Sequence, residues 1–352
     1  LDQIQELLTV ALLPDVGPRC ARELLRRGPI RELLAHPEEH RDLLPEAARR
    51  QLTSGAAARR AESELSRAAR SGVRLVGQGS DGYPRHLARI YDPPPVLYVR
   101  GHLEPDEGET SLAIVGSRAA SPPGRSLARR MARRLAAGGV TVVSGLARGI
   151  DTAAHQGALE GGGRTIAVLG CGLDRVYPAE NAGLAAQVAV SGAVVSEFPL
   201  GTPPLPGHFP RRNRLIAGWG RGVLVVEAAA RSGALGTVRC ALDEGREVMA
   251  VPGHPTSRAS EGVNALIRDG ATLVRDAADV AAELGISLNP DEAPSAEGQP
   301  LLELLRPGAP ISLEALRDRS GMQVPELLAK LGALELLARV ERLPGPLFVR
   351  MA

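Results

Sequence analysis

Residues 112–155, LAIVGSRAASPPGRSLARRMARRLAAGGVTVVSGLARGIDTAAH, restrict the fold more than any other stretch. Leu112 to Val115 form an apolar run whose length suits a buried strand. Gly116-Ser117-Arg118 breaks the run. A Pro-Pro-Gly turn at Pro122 to Gly124 then leads into an amphipathic pattern ending at Ala137. Gly138-Gly139 stops that helix, VTVVSG (Val140 to Gly145) reads as a second buried strand, and the small-residue loop LARGID follows. A β-loop-α-β unit of this kind requires a parallel sheet with right-handed crossovers. Ligands of such sheets bind outside the carboxyl ends of the strands. Both ends here carry Gly, Ser and Arg. Small residues allow close backbone approach, helix N-termini offer unpaired N–H groups, and arginine adds a planar fork of donors. The chemistry predicted is anion binding, with phosphate the best fit.

At 352 residues the chain is long enough for more than one domain. Aromatic residues make up only 2% of it, so the core must be aliphatic and any exposed ring is informative. Lys330 is the sole lysine among 42 Lys and Arg residues. The excess of Ala, Gly, Pro and Arg fits GC-rich coding, so arginine position, not number, must argue for nucleic acid. Cys20, Cys171 and Cys240 are too scattered for a disulfide framework or a metal site. No signal peptide and no apolar run of membrane-spanning length is visible, so a reducing cytoplasm and no membrane partner are expected. The chain opens at Leu1 rather than Met, so a few leading residues are expected before it.

Residues 1–70 read as a helical module with apolar spacings of three and four. Within it, ALLPDVGPRCARELLRRG (Ala11 to Gly28) resembles a helix-hairpin-helix, whose turn can offer N–H groups to a DNA phosphate. A plain hairpin or a protein-docking module fits as well. VRLV and VLYV, around Tyr83-Pro84 and Asp92-Pro93-Pro94-Pro95, are strands expected at the sheet's edge. From Ser111 onward βα units repeat through TIAVLG, AVVSEF, GVLVVEA, EVMAVPG and TLVRD, closing with a helix before Gly285. Near-continuous apolar strands between helices predict a parallel sheet covered on both faces. The main domain is therefore set at 71–285. Residues 286–299 have a linker composition. Residues 300–352 read as three helices and a hairpin, similar to a winged helix. Its third helix carries Leu and Ala with little positive charge, which favours protein contact or weak DNA binding over sequence-specific reading.

Five segments bear on the chemistry. GSRAASPPG lacks the G-x-G-x-x-G spacing, LGCGLDRVYP has two of the three glycines, and no acidic residue is placed to hold a ribose, so no nicotinamide, flavin or other cofactor is expected. In SGLARGIDTAAHQGAL, Asp151 and His155 share a helix face and suit either acid–base chemistry or a helix-internal hydrogen bond. FPRRNRLIAGWG sets Arg211, Arg212 and Arg214 beside Phe209 at a helix start, where cations are unfavourable unless an anion is present. An aromatic among basic side chains suits a stacked base and its phosphate. RSGALGTVRC is another phosphate-type loop. It is similar to the G-G-x-G-T-x-x-E signature of nucleotide-cleaving phosphoribohydrolases, but Cys240 stands where the glutamate should, so an enzyme of that kind is the alternative reading.

AIVGSR, VVSGLARGID–AAH–GAL, TIAVLGCGLDRVYP–N, SEFPLG, FPRRNRLIAGW, VLVVEA, SGAL–T and AVPG occur here in that order. With them the chain closely resembles the DNA processing protein A (DprA/Smf) family over about residues 73–285. The resemblance implies an extended Rossmann-like α/β domain, flanked by an N-terminal helical module (SAM or helix-hairpin-helix-like) and a C-terminal winged helix. It implies no catalytic activity. It further implies single-stranded DNA as ligand, homodimerisation, and loading of the RecA recombinase onto incoming DNA in natural transformation. Carried over by motif, the pocket would comprise Ser117 and Arg118; Gly145, Arg148 and Gly149; Arg175 and Asn181; Phe209, Arg211, Arg212, Asn213 and Arg214; and Ser232, Gly233 and Thr237. Relatives with lysines around the pocket have no counterpart here, where arginine must serve. The family's dimer and recombinase surfaces would fall near Glu261 to Val274.

Overall fold

Alternate residues of the central strands bury opposite faces of one sheet, as the apolar runs require. The structure, a computed structural model, describes residues 3–288, 299–306, 309–336, 339–343 and 345–350. It falls into two compact units, 1–288 and 289–352. In the first, the strands are β1 Arg74–Gly77, β2 Val96–Gly101, β3 Ser111–Val115, β4 Thr141–Ser144, β5 Thr165–Leu169, β6 Ala193–Ser196, β7 Gly222–Val225, β8 Glu247–Ala250 and β9 Thr272–Leu273. Their order across the sheet is β1-β2-β6-β5-β4-β3-β7-β8-β9. The seven strands from β3 onward are parallel, while β1 and β2 form an antiparallel edge on β6. This is the expected α/β architecture, with the VRLV and VLYV strands at the expected edge.

Ala113, Val115, Val143, Val168, Val223 and Val225 pack on one face beneath the helices His208–Trp219 and Ala234–Asp243. Leu112, Ile114, Val142, Leu224 and Met249 pack on the other beneath Pro122–Ala137, Ile150–Glu160 and Ala277–Leu284. Ile286 and Leu288, at the start of the expected linker, also pack here, and residues 289–298 of that linker lie outside the described residues. The N-terminal helices have a core of their own around Val10, Leu24 and Leu44. Leu7 and Leu8 join Tyr98 and Leu169 against the sheet.

Helices Pro122–Ala137 and Ile150–Glu160 touch backbone to backbone. A Cβ on Gly157 would overlap the Arg129 carbonyl oxygen, and one on Gly161 would overlap that of Arg133. In the second unit, helices Gln299–Glu303, Leu313–Ser320 and Val324–Leu336 accompany β10 Ile311–Ser312, β11 Val340–Leu343 and β12 Leu347–Arg350. The strands pair antiparallel in the order β10-β12-β11. Ser312 caps its helix by accepting from the Ala315 N–H at 3.2 Å. On the third helix Val324 and Leu328 are exposed, and Lys330 is paired with Glu326 at 2.8 Å.

The close crossing gives a stability prediction. Gly157→Ala should lower the unfolding free energy by about 1–3 kcal/mol. Gly183→Ala, in open space on the helix Ala182–Ser191, should be neutral or stabilising by under about 1 kcal/mol. Urea titrations of both variants check this, and equal midpoints would refute the contact.

Candidate nucleic-acid interface

The strand order creates the site. From β3 the chain winds outward through β4, β5 and β6, then returns to lay β7 on the opposite side of β3. Loops leaving β3 and β7 therefore diverge, and a crevice opens at this switch point. It is a cleft of about 1070 Å³, walled by Ser117, Arg118, Tyr177, Phe209, Arg212, Asn213 and residues 229–237, with Arg239 at its edge.

Its floor is built on Arg212. This guanidinium is 4% exposed, and its Nη1 donates to the carbonyls of Gly145 (2.8 Å) and Val168. It thus fastens helix His208–Trp219 to the ends of β4 and β5. Burial pulls its pKa down to about 10, against the opposing attraction of Asp151, so it stays cationic at neutral pH. Gly145 has no room for a side chain, because a Cβ would run into this guanidinium. Asp151 Oδ2 accepts from the N–H groups of Gly145 (3.1 Å) and Ala147 (3.4 Å), and its pKa is raised by burial. Asn181 Nδ2 donates to the Leu146 carbonyl at 2.8 Å and to Thr152 Oγ1 at 2.9 Å, steadying a loop in which Leu146 has φ 57°. Gly149 has φ +79°, and a Cβ there would strike the Ser117 carbonyl, so the GSR and LARG loops interlock. Glu227 holds the far side, accepting from Ser117 N–H through its carbonyl (2.6 Å) and from Ser121 Oγ through its carboxylate (2.6 Å).

The wall presents rings and cations together. Tyr177 and Phe209 lie 5.6 Å apart between centroids at 43°, and Arg118 Cζ sits 5.1 Å from the Phe209 ring. Arg118, Arg231 and Arg239 are exposed and have no carboxylate partner among the described residues. Opposite, Ser232 and Gly233 open the helix Ala234–Asp243, Ser232 Oγ accepts from Ala234 N–H at 3.3 Å, and Thr237 is buried beneath them. Asn213 Nδ2 reaches the Gly233 carbonyl at 3.4 Å.

Eight of the residues assigned from the sequence line this cleft: Ser117, Arg118, Phe209, Arg212, Asn213, Ser232, Gly233 and Thr237. Gly145, Gly149 and Asn181 sit behind it as framework. Arg148 is on the rim in a bidentate pair with Glu180 (2.5 and 2.9 Å). Arg175 is exposed and outside the lining. Arg211 and Arg214 turn elsewhere: both donate to Glu197, at 3.1 and 2.5 Å, and Arg211 stacks on Phe198. Glu197 is thus the internal anion for two of the three helix-start arginines. Tyr177, Arg231 and Arg239 were not singled out by sequence reasoning. Tyr177 carried a usable signal, as one of few rings in an aromatic-poor chain.

Asp151 and His155 do not pair: the carboxylate serves the loop amides, and the imidazole turns to β5. His155 is fully buried, and its Nδ1 donates to Thr165 Oγ1 at 2.7 Å, since that hydroxyl gives its own proton to the Val142 carbonyl. Burial and the nearby Arg212 push its pKa down to about 3. Among the described residues no cluster of His, Cys, Asp and Glu could hold a metal ion, and no helix is long and apolar enough to cross a membrane.

The fold and cleft define an α/β protein with a cationic, aromatic-walled crevice at the switch point of an extended Rossmann-like sheet, joined to a winged helix. Residues 74–285 match the family described as DNA recombination-mediator protein A, and residues 287–346 match the DprA winged helix domain. The chain belongs to this DprA/Smf family of DNA processing and recombination proteins. It is 43% identical over 285 residues to Protein Smf of Escherichia coli, covering 77% of this chain and 76% of that protein. It is 46% identical over 203 residues to DNA processing protein DprA of Streptococcus pneumoniae, covering 58% of this chain and 71% of the relative. The crystal structure of DprA from that species aligns with a TM-score of 0.67 at 35% identity, over 80% of this chain and 97% of that one. DNA processing protein A of Helicobacter pylori, whose structure is described for its single-stranded DNA binding mode, aligns with a TM-score of 0.54 at 28% identity, over 61% of this chain and 97% of its own.

The buried imidazole sets a pH signature. A pKa depressed from 6.5 to about 3 stabilises the fold fully above pH 6.5, and that contribution is lost as pH falls toward 3. Between about pH 6 and pH 4, wild-type unfolding free energy should fall by about 1 kcal/mol per pH unit more than that of His155→Gln. Denaturant titrations across that range read the difference, and parallel curves would contradict the assignment.

Proposed function

We propose that the cleft binds single-stranded DNA, holding phosphates on its loops and arginines and stacking one or more bases on its rings. The observation that carries the reading is the tilted Tyr177–Phe209 pair capped by Arg118, beside unpaired Arg231 and Arg239. Every base has a π-face, so such a platform tolerates any sequence and prefers unpaired strands, whose bases are free to stack. The likeness to the Helicobacter pylori protein supports the choice of ligand. In this reading residues 71–285 form the DNA-binding domain, between the N-terminal module (1–70), the linker (286–299) and the winged-helix domain (300–352). Arg118 joins Arg231 and Arg239 in taking phosphate. Arg148 becomes available when phosphate displaces Glu180. Arg212, Gly145, Gly149 and Asn181 preserve the shape. Arg175, Arg211 and Arg214 contribute positive potential from outside the wall. As a homodimer in the cytoplasm, two such clefts on one strand would raise avidity. The protein would shield incoming DNA and deliver RecA to it in natural transformation, as a mediator with no catalytic step.

The nucleotide-cleaving alternative needs a free carboxyl in the cleft. Asp151, Asp174, Glu197 and Glu227 each accept from a loop amide, an arginine or the Ser121 hydroxyl. Cys240 occupies the position of that signature's glutamate, and burial raises its thiol pKa. Incubation with nucleoside monophosphates should therefore release no free base, and release abolished by Asp151→Asn would establish the enzyme instead.

Three unpaired arginines, or four once Arg148 is displaced, set the salt dependence. The logarithm of affinity for a single strand should fall with the logarithm of salt at a slope of about −2 to −3. Arg118→Ala/Arg231→Ala should weaken binding at least about tenfold and flatten the slope by about 1, with unchanged thermal stability, because neither side chain holds the fold. Fluorescence anisotropy measures affinity and salt slope, thermal denaturation measures stability, and a slope near zero or an unaffected variant would contradict the proposal.

A further inference from the structure

The aromatic residues separate into three groups. Tyr83, Tyr98, Phe198, Trp219 and Phe348 are buried, and Tyr177 and Phe209 wall the cleft. Tyr91 belongs to neither group: it is 55% exposed and lies outside the cleft. Its backbone is fixed, since its N–H donates to both carboxylate oxygens of Glu244 at 2.9 and 3.1 Å. Its ring carries Arg22 at 4.0 Å and Arg19 at 5.9 Å from the centroid. Arg19, Arg22 and Arg26 recur at spacings of three and four along the helix Pro18–Arg27, so they form one stripe. None of the three has a carboxylate partner among the described residues, whereas Arg27 on the same helix is bound by Asp42 at 2.8 Å. Like charges at this spacing destabilise a helix. The Tyr91 ring offsets part of that, and a bound polyanion would offset the rest.

Two further features point to a strand. Arg22 and Arg26 line a depression of about 420 Å³ with Leu7, Leu25, Ile90 and Pro93, an apolar surface edged by cations. Arg211 stands between the cleft-wall residues Pro210 and Arg212, and together with the turn Pro14 to Gly17 it lines a second depression of about 450 Å³. The helix carrying Arg19 and Arg22 begins directly after Gly17. The segments that carry the stripe and the cleft wall thus both border this depression, in which Glu197 holds Arg211 and Asp15 adds a second carboxylate. We propose that Tyr91 with Arg19, Arg22 and Arg26 is a second contact for single-stranded DNA. It takes a base on the Tyr91 ring and neighbouring phosphates on the arginines, along the same strand that enters the cleft. The identity of the strand rests on the proposed function of the cleft.

Strand length separates the two sites. Full-length wild type, Tyr91→Ala, Tyr91→Phe and Arg118→Ala/Arg231→Ala are titrated with oligothymidylates of about 6 and about 30 nucleotides, since the short one spans a single binding groove and the long one spans both. Wild type is also photo-crosslinked to the long strand carrying bromodeoxyuridine, and the adduct is mapped by mass spectrometry. Tyr91→Ala should bind the long strand about tenfold more weakly and the short strand as wild type does. Tyr91→Phe should behave as wild type, and an adduct should form at Tyr91. Unchanged long-strand binding without an adduct at Tyr91 overturns the proposal, as does equal loss at both lengths, which would mean that Tyr91 acts through the fold. If wild type fails to bind the short strand but still crosslinks the long one at Tyr91, the cleft reading falls and the Tyr91 contact stands. If wild type binds neither strand, both fall.

Discussion

A buried guanidinium holds this cleft together. Removing an arginine almost wholly from water is costly, and for Arg212 the carbonyls of Gly145 and Val168, both on Nη1, and the field of Asp151 offset that cost, while its buried Nε stays without a hydrogen-bond partner. Much of the local sequence follows from that. Gly145 must lack a side chain to admit the guanidinium, and Asp151 must open its helix to serve both the loop amides and the charge. His155 must stay neutral beside it. The same group presents positive potential to a crevice whose walls are loops of small residues, so framework and ligand attraction share one side chain. For that reason Arg118 and Arg231, not Arg212, are the residues whose loss reports on binding alone.

The division of labour among the helix-start arginines shows how a carboxylate rearranges a basic motif. FPRRNR looks like one cationic cluster, and its position at a positive helix end argues for an outside anion. Glu197, at the end of the AVVSEF segment, takes Arg211 and Arg214 for itself. What remains for a ligand comes from other loops: Arg118 after β3 and Arg231 and Arg239 after β7. Cations from separate loops surround a strand more effectively than a single run on one helix, because their spacing is set by the sheet.

The sheet was legible because its strands are short apolar runs cut by Gly, Pro and Ser, and because two faces must be covered at once. β3, β4, β5 and β8 emerge where LAIV, TVVS, TIAVL and EVMA placed them. TLVRD contributes only Thr272–Leu273 to the ladder, since Asp276 leaves it to cap the next helix by accepting from Ala278 and Asp279. The Gly-, Ser- and Arg-bearing loops around the cleft were legible as composition. Their mutual arrangement was not, because it depends on strand order, and nothing local in GSR or RSGAL states that β3 and β7 are neighbours. Tyr177 reaches Phe209 from a different loop, and Glu197 reaches Arg214 across 17 positions. Contacts of that kind carry no periodic signal, so position along the chain misassigned some arginines to the wall and overlooked others.

Amide hydrogen exchange of the full chain, with and without a saturating thymidine oligonucleotide, tests the central claim most directly. Slowed exchange at residues 116–118 and 229–237, with residues 313–336 of the winged helix unchanged, is the predicted pattern. Protection confined to the winged helix, with the β3 and β7 loops exchanging as before, would contradict it.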